Sequence, residues 1–410
     1  MIKMLYTLNE NVYLVKGKAR SCIYDLNNSK LYSVNNALAE KIEQANTKGI
    51  DIHIGDKNLK NILDEFIRIG LFILAESVLP KKIDDIKKYD DGCIFAWIEI
   101  SNRCNLRCLH CYNESDVRCD KVMSLDNYKK VINDLVKMNV KKIQLIGGEP
   151  LFEKNLLKDM LAYTVGKFSF IEIFTNGTLF SEDWFDYLAE NDIHIALSVY
   201  SYNENEHDKV TKMKGSWIRT NQTIEELKKR NITYRVCNVL MKDVDLGEKN
   251  TNLYELSSEK DIVRVSGRAD FSLLSDELIR KKLITKQTFQ KPIQRDFCCS
   301  LVSGHNCFKN KIYISADMKV YPCVMERRVM HCEISDNKEI VLKDSIQNLN
   351  KDKIKECSDC EFRYACYDCR PNSLSGDILE KPWYCTYNPQ LGVWEDVDEF
   401  IINLKNQWEN

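Results

Sequence analysis

Three closely spaced cysteines follow an apolar, strand-like run in the first third of the chain. Cys104, Cys108 and Cys111 are separated by three and two residues, directly after the run at residues 94–100. Three thiolates at this spacing can hold three irons of a cubane iron–sulfur cluster and leave the fourth iron open to a small molecule. The triplet therefore predicts a redox site at the end of a strand. Buried structural cysteines and a zinc site are the alternatives, although zinc sites usually show paired Cys-x-x-Cys knuckles and four ligands.

The chain as a whole is rich in cysteine, with 17 among 410 residues. Its first residues lack the long apolar core of a signal peptide, so we expect a cytoplasmic protein, in which disulfides are rare. A high cysteine content in such a chain indicates metal binding or catalysis. Ten of the cysteines cluster in the last third of the chain: Cys298, Cys299, Cys307, Cys323, Cys332, Cys357, Cys360, Cys366, Cys369 and Cys385.

Charge and hydropathy exclude two classes of partner. The formal net charge is −2 at pH 7 and hydrophobic residues make up 44% of the chain. No bulk field therefore favours binding to nucleic acid or to an anionic membrane. No run of about 18 apolar residues occurs, so we expect no transmembrane helix.

The middle of the chain alternates between strand-like and helix-like patterns, which is typical of a parallel sheet or barrel. Six strands are too few for a closed eight-stranded barrel, so we predict an α/β fold with a partial (β/α)6 barrel of the TIM type. The predicted strands are residues 94–100, 142–146, 168–174, 193–199, 232–241 and 262–266, with helices such as 126–138 and 220–229 between them.

The first 88 residues have a different pattern, in which strands come first and helices follow. A charge-dense segment at residues 81–91 indicates a linker after them. This order predicts a small α+β domain at the amino terminus. Its predicted strands are residues 12–15, 21–26 and 30–34, and its predicted helices are residues 36–44 and 59–69.

The cysteine triplet, together with Gly147-Gly148-Glu149-Pro150 after the second strand, resembles the radical S-adenosylmethionine (radical SAM) enzymes. The resemblance implies that the triplet holds a [4Fe–4S] cluster and that S-adenosyl-L-methionine (SAM) chelates its open iron. The Gly-Gly-Glu-Pro turn would bind the amino group of SAM, because glycines admit a ligand to the backbone and a carboxylate attracts an ammonium. Reductive cleavage of SAM would then produce a radical that takes hydrogen from the substrate.

Further contacts to SAM are expected at the carboxyl ends of later strands, where barrel folds build their active sites. By the resemblance, Asn176 and Ser198 would touch the ribose or the methionine carboxylate of SAM. Arg235 on the fifth strand could contact the same carboxylate, as could Arg264 on the sixth, or each could form a structural ion pair. No catalytic acid or base is identified.

The cysteines of the last third resemble the SPASM extension of radical SAM peptide-modifying enzymes, which carries two auxiliary [4Fe–4S] clusters. The gap before Cys369 is two residues where three are usual, and Met318 replaces a usual glycine. Cys298 could replace its neighbour Cys299, and a zinc site is the alternative to the clusters. The resemblance implies Cys299, Cys307, Cys323 and Cys369 as ligands of the first auxiliary cluster, and Cys357, Cys360, Cys366 and Cys385 as ligands of the second.

The amino-terminal domain resembles the winged-helix module that binds leader peptides in ribosomal peptide maturation, by adding the leader to an exposed sheet edge. Residues 15–25 and 360–370 resemble more specifically the grasp-with-spasm maturases, which are thought to work beside an ATP-grasp ligase. A generic small α+β domain is the alternative. The resemblance implies a leader-binding domain at residues 1–88, a radical SAM barrel at 92–290 and a SPASM domain at 291–410.

Three functions are compatible with these features. The first is a radical SAM maturase that installs a thioether, carbon–carbon or carbon–oxygen cross-link in a precursor peptide. An electron donor such as flavodoxin or ferredoxin would supply its electrons. The second is a dehydrogenase acting on a protein residue, like the anaerobic sulfatase-maturating enzymes, which would not need a leader-binding domain. The third is a zinc-stabilised binding protein without catalysis.

Overall fold

The computed structural model describes residues 3–87, 92–259, 261–305, 307–336, 338–372 and 376–409. The chain separates into two compact units that interleave along the sequence. Their boundaries differ from the predicted domain boundaries, which stay predictions about functional modules. The N-terminal unit comprises residues 1–90, 283–306 and 348–404, and the large-sheet unit comprises residues 91–282, 307–347 and 405–410.

Strands and helices alternate through the middle of the chain, as predicted. None of the helices in the described residues is long and apolar enough to cross a membrane. The strands are β1 Leu5–Leu8, β2 Val12–Lys16, β3 Arg20–Asp25, β4 Lys30–Asn35, β5 Ile50–Asp51, β6 Phe72–Ala75, β7 Phe95–Ser101, β8 Lys142–Gly147, β9 Phe170–Thr175, β10 His194–Ser198, β11 Tyr234–Cys237, β12 Lys311–Ile314, β13 Lys319–Tyr321, β14 Cys332–Glu333, β15 Tyr387–Asn388 and β16 Val393–Trp394. The α-helices are α1 Asn36–Thr47, α2 Lys57–Arg68, α3 Leu125–Lys137, α4 Lys154–Thr164, α5 Glu182–Glu190, α6 Glu204–Thr211, α7 Ser216–Lys229, α8 Asp276–Lys282, α9 Arg295–Ser303, α10 Asp344–Gln347 and α11 Val397–Glu409.

The large-sheet unit is built on an eight-stranded sheet with the order β11-β10-β9-β8-β7-β12-β13-β14. Strands β7 to β11 are parallel, β12 joins β7 in parallel, and β13 and β14 continue antiparallel. Helices between the parallel strands pack on the sheet, and residues such as Ile98, Leu145 and Ile173 are fully buried in the shared core. The mixed α/β fold is confirmed, and the carboxyl ends of β7, β8, β9 and β10 lie along one edge of the sheet.

The prediction of a sixth strand at residues 262–266 is wrong. Ile262 forms only an isolated parallel bridge to Leu240. The chain then turns, because the Ala269 N–H donates to the Ser266 carbonyl at 3.1 Å and Gly267 adopts a φ of +59°. This turn takes the segment out of the sheet plane before a second rung can form.

The N-terminal unit contains two small sheets, with the orders β5-β1-β6 and β2-β3-β4. The predicted strands and both predicted helices are confirmed, although α2 begins at Lys57 because the Asp56 carboxylate accepts from the N–H groups of Asn58 and Leu59 at 3.0 Å each. The β2-β3-β4 sheet packs against the cysteine-rich segment of the same unit: the Tyr24 hydroxyl donates to the Glu361 carbonyl at 3.0 Å. The first 88 residues thus have a hydrophobic core of their own, which includes Ile23, Ile42 and Leu63. They also share a second core with the cysteine-rich segment.

Candidate functional site

The three cysteines of the triplet lie on the loop that leaves the carboxyl end of β7. The Leu106 N–H donates to the Cys104 sulfur at 3.3 Å, and the Asn176 amide lies 3.9 Å from the same atom. Burial raises the pKa of Cys108 to about 12, and the neighbouring Cys111 adds to this rise. Burial, Glu149 and the other two thiols likewise raise the pKa of Cys104. Cys104 and Cys108 thus lie in surroundings that disfavour a free thiolate near neutral pH, whereas a bound metal would stabilise it.

Gly267 and Arg268 hold the triplet loop in place. They belong to the segment that directly follows residues 262–266, which do not form the predicted sixth strand. Arg268 donates from its backbone to the Cys111 carbonyl at 3.1 Å and from Nε to the Cys108 carbonyl at 3.0 Å. A Cβ atom on Gly267 would lie 2.5 Å from the carbonyl oxygens of Cys111 and Tyr112. Sequence reasoning missed both residues, because a single Gly-Arg pair carries no recognisable pattern. Arg264, which the sequence proposed instead, pairs with Asp261 at 3.1 Å.

The Gly-Gly-Glu-Pro turn packs directly against the start of the cysteine loop. The Gly148 N–H donates to the Ser101 carbonyl, and the Glu149 N–H donates to the Arg103 carbonyl, each at 2.8 Å. A Cβ on Gly148 would lie 2.2 Å from the Arg103 carbonyl oxygen, closer than any real contact. The glycines are therefore required for packing between two adjacent strand ends, whatever ligand the turn holds.

Glu149 is fully buried and joins the ends of β8 and β9. Its carboxylate accepts from the Leu151 N–H at 3.0 Å, the Thr175 hydroxyl at 2.7 Å and the Asn176 N–H at 2.7 Å. Burial raises the pKa of Glu149, while these hydrogen bonds act in the opposite direction. The carboxylate thus fixes the turn through hydrogen bonds to both strand ends. Its contact with the amino group of SAM stays a prediction.

Asn176 and Ser198 both reach the surroundings of the cysteine triplet. The Asn176 amide donates to the Asn105 side chain at 2.9 Å, within the cysteine loop. Burial raises the pKa of Tyr200, the nearby Cys108 thiol adds to this rise and Ser198 opposes it, so the three side chains are neighbours. The Tyr200 ring packs edge-on against His110, with ring centroids 4.9 Å apart. Two strand ends thus converge on the thiols, one of them through an aromatic side chain that the sequence did not single out.

Arg235 occupies a different place. Its guanidinium forms two hydrogen bonds of 2.8 Å to the buried Glu172 carboxylate. Both residues line a cavity of about 630 Å³ with Trp97, Gln144 and His194, from the amino-terminal half of the strands. The structure therefore gives Arg235 the ion-pair role that was the alternative to SAM binding.

The two carboxylates near Cys323 in sequence are each paired with a cationic side chain. Glu326 is fully buried and binds both Nε and Nη2 of Arg328, at 2.8 and 2.6 Å. Burial opposes the ionisation of Asp317, yet hydrogen bonds from Ser315, Lys121 and Lys319 lower its pKa below the ordinary value. Asp317 is therefore not poised to accept a proton near neutral pH.

The second auxiliary set of cysteines comes together within the N-terminal unit. Burial is the largest cause that raises the pKa values of Cys357, Cys360 and Cys385, and the proximity of Cys366 adds to the rise in all three. The Phe362 N–H donates to the Cys360 sulfur at 3.4 Å. Four thiols in one place fit the ligand set of a cubane cluster.

The first auxiliary set remains a prediction, because its members belong to separate units. Cys299 and Cys369 lie in the N-terminal unit, and Cys307 and Cys323 lie in the large-sheet unit. Across the described ranges, no three or more Cys, His, Asp or Glu side chains converge as they would on one metal ion. Ligands of a cubane stand further apart than that, because each thiolate binds a different iron.

Residues 98–247 match the Radical SAM superfamily. Antilisterial bacteriocin subtilosin biosynthesis protein AlbA of Bacillus subtilis (strain 168) is 31% identical over 181 residues, which cover 44% of this chain and 38% of AlbA. The chain spans about half the length, or less, of the first curated relatives it matches. The match places the triplet, the Gly-Gly-Glu-Pro turn, Asn176 and Ser198 within a radical SAM domain.

The fold is similar to that of SuiB from Streptococcus suis. That crystal structure has a TM-score of 0.53 at 14% identity and covers 92% of this chain and 99% of SuiB. The structure of SuiB bound to precursor peptide SuiA has a TM-score of 0.52 at 12% identity, with coverage of 90% and 98%. At these identities the likeness shows a common fold.

Proposed function

We propose that this radical SAM enzyme abstracts hydrogen from a ribosomally made precursor peptide and installs a thioether, carbon–carbon or carbon–oxygen cross-link. The observation that carries the proposal is the meeting of the cysteine triplet, the Gly-Gly-Glu-Pro turn and Asn176 at three neighbouring strand ends. The identity with AlbA, named for bacteriocin biosynthesis, supports a peptide substrate. The fold likeness to SuiB, which was solved with a precursor peptide, supports the same class.

The residues of this chain would hold and shield the cofactor. When bound, a [4Fe–4S] cluster with SAM supplies the radical chemistry, and the protein supplies orientation and exclusion of water. Cys104, Cys108 and Cys111 would bind three irons. Glu149 keeps the Gly-Gly turn and Asn176 in fixed positions, and Tyr200 lies beside Cys108. These contacts would restrict SAM to one orientation over the open iron.

Two auxiliary clusters complete the proposed cofactor set. Cys357, Cys360, Cys366 and Cys385 would hold one of them, and the partition of Cys299, Cys307, Cys323 and Cys369 around the other rests on the SPASM resemblance. Four thiolates leave no open iron, so these clusters would transfer electrons rather than bind the peptide. A flavodoxin or ferredoxin as electron donor and an ATP-grasp ligase from the same pathway are the proposed protein partners.

The N-terminal unit would bind the leader segment of the precursor peptide. Strand β4 lies at the end of the β2-β3-β4 sheet, and its residues are exposed or half-buried. An edge strand of this kind can accept an additional peptide strand through main-chain hydrogen bonds. This arrangement favours a peptide maturase over a dehydrogenase acting on a folded protein.

The test is anaerobic incubation of the reconstituted full chain with SAM, a reductant and candidate precursor peptides. We expect 5′-deoxyadenosine and a peptide product that has lost two hydrogen atoms, with neither formed by Cys104→Ala. Cleavage of SAM with every peptide mass unchanged would contradict the peptide substrate. Equal turnover of a leaderless core peptide and the full-length peptide would favour the dehydrogenase alternative.

A further inference from the structure

Lys351 is a buried lysine beside the second auxiliary set of cysteines. It begins the short 3-10 turn Lys351–Lys353 of the N-terminal unit and is only 5% exposed. Its Nζ donates a hydrogen bond to the Cys366 sulfur at 3.4 Å and lies 2.9 Å from a carboxylate oxygen of Asp368. An ammonium is costly to bury unless negative charge surrounds it. The position of Lys351 therefore requires anionic neighbours.

Asp368 supplies part of that negative charge. It is 1% exposed, and its second carboxylate oxygen contacts the guanidinium of the buried Arg370. One carboxylate thus faces two buried cations. The Cys366 sulfur is the other group that Lys351 touches, and as a metal-bound thiolate it would supply the negative charge that a neutral thiol lacks.

We propose that Lys351 raises the reduction potential of the cluster held by Cys357, Cys360, Cys366 and Cys385. This inference rests on the proposed function for the presence of that cluster. Reduction adds one electron to a group that its four thiolates already make anionic. A fixed ammonium at 3.4 Å from a ligand sulfur stabilises the more negative, reduced state more than the oxidised one. Hydrogen bonds to the sulfurs and net charge are among the factors that set such potentials.

A raised potential suits the cluster to accept an electron from the substrate. After hydrogen abstraction, the substrate radical forms its new bond, loses one electron to the cluster and releases one proton. The cluster would be reduced by one electron and would pass it to an external one-electron acceptor, such as an oxidised flavodoxin or ferredoxin. Because no iron of this cluster would be open, the cluster could accept electrons but not bind the substrate. Lys351 would favour its reduction.

The experiment uses the full chain with Cys104, Cys108 and Cys111 replaced by alanine, so that only auxiliary clusters contribute signals. After anaerobic reconstitution, the midpoint potentials are measured by redox titration followed by electron paramagnetic resonance. The signal that disappears in Cys385→Ala identifies the cluster of interest. We expect Lys351→Met to shift its potential to more negative values and the exposed neighbour variant Lys353→Met to leave it unchanged. An unchanged potential in Lys351→Met at equal iron content would overturn the inference.

Two further variants keep the test decisive if Lys351→Met loses iron. Lys351→Arg retains charge and donor, whereas Lys351→Gln retains a donor without the charge. The arginine variant should remain near the parental potential and the glutamine variant should fall below it; equal potentials would refute a role for the charge. If the parental protein binds no iron that depends on Cys385, the proposed second cluster fails, which is a distinct result from a potential that does not move.

Discussion

The backbone N–H of Asn176 donates to the buried Glu149 carboxylate at 2.7 Å, at the adjoining ends of β9 and β8. The Asn176 side chain lies 3.9 Å from the Cys104 sulfur, so the carboxylate fixes a residue that touches the triplet. Glu149 also accepts from Leu151 and Thr175. A single buried side chain therefore links two strand ends to the proposed cluster.

Glu149→Gln should weaken the hydrogen bonds between the two strand ends while keeping the size and shape of the side chain. An amide accepts through one oxygen only, so at least one of the three donors loses its acceptor, at a cost of about 1–3 kcal/mol. We expect a lower free energy of unfolding in urea and less iron retained at the triplet. Glu190→Gln, at an exposed position on α5, is the matched control. Unchanged stability and iron content in Glu149→Gln would contradict the assignment.

Gly148→Ala tests the close packing between the turn and the cysteine loop. The added methyl group would meet the Arg103 carbonyl at 2.2 Å, so the two strand ends must move apart. Overpacking of this kind costs about 1–3 kcal/mol. We expect the variant to lose as much iron per chain as Cys104→Ala. Gly55→Ala is the control, because a methyl group there meets nothing within 4 Å; equal iron content in the two glycine variants would refute the packing argument.

Arg235→Gln separates the ion-pair role from the cofactor role. It leaves the buried Glu172 carboxylate without its cationic partner, and we expect a loss of about 1–3 kcal/mol in unfolding free energy, since the arginine itself is half exposed. The KM for SAM in 5′-deoxyadenosine formation should not change. A raised KM at unchanged stability would instead return Arg235 to the cofactor site.

His207 makes stability depend on pH. Burial lowers its pKa to about 4, despite the opposing charge of Asp208, and its Nδ1 accepts from the Tyr200 N–H at 3.3 Å. Because the folded pKa is depressed, the unfolded chain binds the proton more readily, so stability is lost as pH falls below about 6.5 and towards 4. Between pH 7 and pH 5, protonation of His207 should lower the free energy of unfolding by about 2 kcal/mol.

The measurement is urea unfolding of wild type and His207→Gln at pH 7 and pH 5. The glutamine variant retains an acceptor and should lose less stability on acidification than wild type. His53→Gln, at an exposed position, should behave as wild type. An identical pH dependence in all three proteins would show that His207 contributes nothing to it.

Local sequence patterns predicted much of this fold. The strands β7 to β11 and the helices between them carry apolar residues at the spacing of a parallel α/β sheet, and five of the six predicted strands form. The triplet is close in sequence, so its three thiols lie on one loop and could be recognised from their spacing alone. Gly147 and Gly148 were assigned because the Gly-Gly-Glu-Pro run after the second strand, together with the triplet, resembles the radical SAM family.

Other features depended on contacts between residues far apart in the chain. The clamp of Arg268 on the Cys108 carbonyl, the pairing of Arg235 with Glu172 and the contact of Lys351 with Cys366 have no local pattern. The predicted sixth strand failed because the turn at Gly267 is shaped by its packing against the cysteine loop. Spacing along the chain thus determined which cysteines could act together. Only tertiary packing decided which charged side chains lie next to their sulfurs. Electrostatic contacts depend on distance in space, which the separation of two residues along the chain does not fix.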